Sequence, residues 1–100
     1  MKRDIQITGF KATEELNDFI NNYLDQLPRF DDRITEVEVY AHVIKGKEHT
    51  VMTEIKAHVP GERIFATGQD SNVQRAFTEA FNRVKQQMIK ARQMLTEKRV

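Results

Sequence analysis

The chain has 100 residues, the size of one domain with a single core. Its 39% hydrophobic and 31% charged residues describe a soluble globular protein with no disorder signature, and the absence of cysteine excludes a disulfide scaffold and any thiolate metal site. The formal net charge of +1 hides a split: residues 1–71 carry 9 Lys or Arg against 13 Asp or Glu, and residues 72–100 carry 7 against 2.

In chain order, RDIQIT alternates and stops at Gly9, which predicts a short strand. No apolar stretch typical of a signal peptide occurs there, and no later run approaches the roughly 18 residues of a membrane span. A cytoplasmic protein with no membrane partner is expected. Thr13 then caps a helix whose first turn holds Glu14 and Glu15, where the helix dipole favours acids. Leu16, Phe19, Ile20, Tyr23, Leu24 and Leu27 recur on one face of it, and Pro28 is expected to end it. FDDR makes the connection.

From Ile34 the period becomes two. Val37, Val39, Ala41 and Val43 face one way, and Glu36, Glu38, Tyr40 and His42 the other. After a GKE tip, Val51, Thr53, Ile55, Ala57 and Val59 alternate with Met52, Glu54, Lys56 and His58. Keeping both apolar faces together sets the register, with Glu38 opposite Lys56 and Glu36 opposite His58. Pro60 and Gly61 suit a type II turn into RIFATG, with Ile64 and Ala66 inward and Phe65 outward. Glycines 9, 46, 61 and 68 each suit a turn or a strand end. Asp70, Ser71 or Asn72 caps a long second helix with Val73, Phe77, Ala80, Phe81, Val84, Met88, Ala91 and Leu95 as its apolar stripe. The predicted fold is α+β, βαβββα: a four-stranded sheet with two helices on one face and a parallel first strand, forming a single domain over 1–100.

QITG at 6–9, TEELNDFI, FDDRITEVEV, the VPGE turn and an AT strand leading into a basic terminal helix form an ordered series. In this order and spacing the sequence resembles the ribosome hibernation promoting factor family, which includes ribosome-associated inhibitor A and was also described as sigma-factor modulation proteins. The resemblance covers residues 3–95. It implies a double-stranded-RNA-binding-domain-like fold. It also implies docking on the small ribosomal subunit near the decoding centre, with mRNA and tRNA excluded and translation idled in resting, stressed or stationary-phase cells. Arg83, Lys90 and Arg92 stand where the family's second helix commonly has Lys or Arg. Asn72 replaces a usual Asp, and Gln86 occupies a position that is often basic. Long members have an additional C-terminal dimerisation domain and the inhibitor type an extended tail; this sequence is similar to the short form.

The expected RNA contacts are Arg83, Lys90, Arg92, Arg75 and Lys85 on the second helix, with Arg29 and Arg33, which flank the FDD connection, as a second, smaller contact. Charge alone leaves two readings open. Cations on a solvated helix face need no function, and Arg29 and Arg33 have Asp25, Asp31 and Asp32 near enough to pair with. Phosphate contact instead releases counterions and makes binding salt-dependent, with shape and backbone recognised over bases. Lys2, Arg3, Lys45 and Lys47 are further cations within conceivable reach of RNA; Lys98 and Arg99 lie at a chain end, where fraying is expected. Glu36, Glu38 and Glu54 disfavour RNA on the outer sheet face. That face carries the alternative reading, a protein-interaction module of the same fold, with a weak homodimer through the sheet. His42, His49 and His58 do not converge on a metal site, and no phosphate loop, nucleophile elbow or HExxH occurs. No cofactor and no enzymatic chemistry are expected.

Overall fold

The computed structural model describes residues 1–46 and 48–97. Lys47, Lys98 and Arg99 lie outside the described residues. The elements are β1 (Lys2–Thr8), α1 (Glu14–Leu24), α2 (Leu27–Phe30), β2 (Glu36–Val43), β3 (Val51–Val59), β4 (Glu62–Asp70) and α3 (Val73–Glu97). The sheet order is β1-β2-β3-β4, with β1 parallel to β2 and the other pairs antiparallel. The β2–β3 register places Glu38 opposite Lys56 and Glu36 opposite His58, as the alternation predicts. All three helices lie on the apolar face, and α3 packs mainly on β3 and β4. No helix among the described residues is long and apolar enough to cross a membrane.

The core forms where the two periodicities meet. Val37, Val39 and Ile55 from the sheet and Ile20, Leu24, Leu27, Phe77 and Val84 from the helices are wholly buried. Aromatic rings close the seam between the helices: Tyr23 lies 5.0 Å from Phe81 and 5.7 Å from Phe77, both edge-on. Phe30 reaches Phe81 at 6.4 Å and so ties α2 to α3.

Thr13 caps α1 by accepting the amide of Leu16 at 3.1 Å. Among the three candidates for the second cap it is Asn72 whose side chain accepts the amide of Arg75, at 3.0 Å. Asp70 accepts the Asn72 amide one step earlier, at 2.9 Å, and orients the cap.

Four expectations need correction. Pro28 does not end the first helix: α1 stops at Leu24, and Pro28 lies in the first turn of α2, where its missing N–H is no loss. Val43, the last residue of β2, is 43% exposed although it continues the apolar face of Val37, Val39 and Ala41. His58 lies opposite Glu36, but its ring nitrogen contacts Glu38, 2.6 Å away on the diagonal. Gly68 is inside β4, not at its end. A Cβ there would stand 2.1 Å from the Ala76 carbonyl oxygen and 2.8 Å from the Ala80 nitrogen, so glycine lets α3 lie directly on the strand.

Candidate nucleic-acid interface

The helix α3 is held down along one side by its own polar residues. β4 is an edge strand, and an open edge invites pairing with another chain. Gln87 answers this by accepting the Phe65 amide at 3.2 Å and donating to the Phe65 carbonyl at 2.8 Å. One turn earlier, Arg83 donates to the Thr67 carbonyl at 2.6 Å, and its other terminal nitrogen pairs with Glu79 at 2.8 Å. Arg83, ranked among the RNA contacts by sequence, is therefore committed to the β4 edge and already opposed by a carboxylate. Lys90 continues the same side, exposed, in a groove with Glu62, Arg63 and Met94.

The other side of α3 faces α2 and the segment after it. There the Lys85 ammonium sits 5.2 Å from the centre of the Phe30 ring. Arg29 precedes that ring and is exposed. Arg33 folds back on Asp31: its Nε donates to one carboxylate oxygen at 3.0 Å and Nη2 to the other at 2.7 Å, while its backbone amide donates at 3.0 Å. Asp31 is 3% exposed, covered rather than deep. The hydrogen bond from Arg33 holds its carboxyl below the ordinary carboxylate range against the opposing effect of burial, and the charge of Arg92 adds to the lowering. Arg33, Lys85 and Arg92 are thus drawn together beside Phe30 and Asp31 from two parts of the chain.

The crest of α3 between these sides is nearly uncharged. Arg75, Asn82, Gln86 and Gln93 share it at helical spacing, and all four are exposed. Arg75 stands apart from the other cations, near the start of the helix, in a shallow groove floored by Phe19 and Tyr23. The cations of α3 fall on two shoulders. One is the β4 side, with Arg83 neutralised and Lys90 open. The other is the α2 side, where Lys85 lies over Phe30, Arg33 pairs with Asp31 and Arg92 is near enough to act on the same carboxylate. Sequence spacing placed Arg83 and Lys90 together; it gave no sign that Arg33 would join Lys85 and Arg92.

Of the remaining cations, Arg3 pairs with Asp25 and donates to the Asn21 side chain at 2.8 Å, which fastens β1 to α1. Lys2 and Lys45 are exposed. On the open sheet face, the Tyr40 hydroxyl donates to Glu38 at 2.6 Å, which pushes its pKa up to about 12. The same bond, followed by the His58 contact, lowers Glu38. Among the described residues no group of three or more His, Asp or Glu is arranged to hold a metal ion.

The family described as Sigma 54 modulation protein / S30EA ribosomal protein matches residues 4–96. Two solved structures share the fold. A structure of a ribosomal subunit interface protein from Coxiella burnetii has a TM-score of 0.81 at 14% identity, over 92% of this chain and 98% of that one. The crystal structure of the Thermus thermophilus Protein Y N-terminal domain has a TM-score of 0.77 at 18% identity, over 90% of this chain and 98% of that one. A search of curated proteins gave no match. The family matched is the one that the ordered series from QITG to the basic helix resembles: the chain belongs to the Sigma 54 modulation protein / S30EA ribosomal protein family.

Proposed function

We propose that this single domain is a cytoplasmic ribosome hibernation factor. It binds the small ribosomal subunit near the decoding centre through rRNA and keeps mRNA and tRNA out, without catalysing a reaction. Family membership supports the reading, as does the likeness to a protein described as a ribosomal subunit interface protein. The observation that carries it is the gathering of Lys85, Arg33 and Arg92 beside Phe30 and Asp31, with the exposed Arg29 next to Phe30 in sequence. Such a patch suits a folded polyanion, whose phosphates are met by geometry and charge more than by base edges. Lys90 and Arg75 are the outlying contacts, and Arg83 acts chiefly by fixing α3 to the sheet.

Co-sedimentation with purified small subunits tests this. The wild-type protein is expected to pellet with them at low salt and to be released as salt is raised. Arg29→Glu with Lys85→Glu should abolish pelleting while thermal melting stays close to wild type. Undiminished pelleting of that variant would remove the α2 shoulder from the interface. Failure of the wild-type protein to pellet would end the proposal.

A further inference from the structure

The sheet face opposite the helices is open, and its charges are sorted. On that face β1 and β2 carry Asp4, Glu36 and Glu38 against Lys2, whereas β3 and β4 carry Lys56 and Arg63, with His58, against Glu54, so acids prevail on one half and basic side chains on the other. We propose that this face pairs with the same face of a second copy, about a twofold axis running along the strands between β2 and β3.

The argument is one of symmetry acting on register. Such an axis exchanges β2 with β3 and β1 with β4, so each β2 residue meets the second copy of its own β3 partner. Glu38 is partnered by Lys56, Glu36 by His58 and Tyr40 by Glu54. Each of these in-sheet pairs therefore becomes a pair between copies, and it occurs twice. The Glu38 carboxylate is already oriented for this by Tyr40 and His58, each at 2.6 Å. Its oxygens keep further lone pairs for an incoming ammonium. A tilt of about 30° between aligned sheets leaves the pairs within reach of long side chains. Lys2 against the second copy's Arg63 is a like-charge pair at an exposed corner and opposes association, another reason for the dimer to be weak. Phe65, 45% exposed beside Lys56, meets the second copy's Asp4 at the far edge, a contact that adds no stability and helps to keep the dimer weak.

Four strands about 4.8 Å apart and four outward rows about 6.8 Å apart make a footprint of roughly 500 Å². The total of about 1,000 Å² for two copies is at the lower end of specific interfaces, so the dimer is weak and concentration-dependent. It does not depend on RNA binding, because the α2 and α3 shoulders lie on the opposite side of the sheet and stay outward in the pair.

Sedimentation equilibrium of the full chain, up to about 1 mM at low salt, tests the proposal. Wild type should dimerise, and high salt should weaken the dimer. Glu38→Lys alone sets lysine against lysine at both equivalent contacts, and Lys56→Glu alone sets glutamate against glutamate. Each is expected to weaken self-association by roughly tenfold or more. An equimolar mixture of the two variants restores opposite charges at both contacts and should form heterodimers. A monomeric wild type, either variant dimerising as wild type does, or a mixture of two folded variants that stays monomeric would each overturn it. Should a variant not fold, amide shifts of the wild type on dilution decide: shifts on the open face support the dimer, and shifts confined to α3 refute it.

Discussion

Asp31 keeps a carboxylate under cover with a single strong partner. Its two oxygens take three hydrogen bonds from Arg33, and its pKa is depressed as a result. A carboxyl held lower in the folded state than in the unfolded chain contributes stability above the ordinary range, near pH 4. That contribution disappears as pH falls through the depressed value. Asp31→Asn should therefore destabilise the domain at pH 7 by about 1–2 kcal/mol, the low side for hydrogen bonds to a charged group because Arg33 is partly exposed to solvent. For a 100-residue domain that is a fall in melting temperature of about 5–10 °C. In melts at falling pH, the gap between wild type and variant should narrow below about pH 4. A gap that stays constant between pH 7 and pH 2 would mean that the charge contributes nothing. The same pair sets what Arg33 can do for RNA, because its fork is oriented by Asp31 and partly neutralised by it.

Among the elements, the crossing of α3 over β4 is set by one missing side chain. Gly68 has no positive backbone angle to explain it, only the backbone of α3 directly above. Gly68→Ala must push the helix away from the strand, since the clashing atoms are backbone. The expected loss is about 3 kcal/mol or more, the upper range for overpacking. Gly61→Ala, in a turn with φ +80° and no atom within 4 Å, meets only the left-handed backbone penalty of about 1–2 kcal/mol. Urea denaturation of both variants checks the order; an equal or smaller loss at Gly68 would contradict the close approach. The comparison also shows what the residue string could reveal. The β2–β3 register was legible because a slip of one residue would turn Val37, Val39 and Ile55 out to water. Pro28 was ambiguous in principle, since proline both stops one helix and suits the start of the next. The roles of Gly68, Arg83 and Gln87 were hidden because each is defined by an element distant in sequence: the backbone of α3, or the free edge of β4. The α2 shoulder was half legible, as cations but not as neighbours.

For the molecule as a whole, charge is separated along its length and between its faces. Glu14, Glu15 and Asp18 stand exposed at the start of α1, while Arg29, Lys85, Lys90 and Arg92 lie towards the far end of α3. A formal net charge of +1 gives almost no pull on a polyanion as a point charge, so attraction must come from orientation. An approaching RNA meets the α2 shoulder favourably and the α1 start unfavourably, which selects one docking pose before contact. The consequence is measurable as a salt slope. If the contacts on the two shoulders neutralise about four phosphates, log K against log salt should have a slope of about −3 to −4. Lys85→Gln should reduce that slope by about one, whereas Arg83→Gln should leave it nearly unchanged, because Arg83 already faces Glu79 and the Thr67 carbonyl. Glu14→Gln with Glu15→Gln should raise affinity at low salt and alter the slope little, since those acids repel at a distance and touch no phosphate. Fluorescence anisotropy with a structured rRNA fragment, run across a salt series for the four proteins, separates these cases. A slope that falls on Arg83→Gln and not on Lys85→Gln would reverse the assignment of the two shoulders.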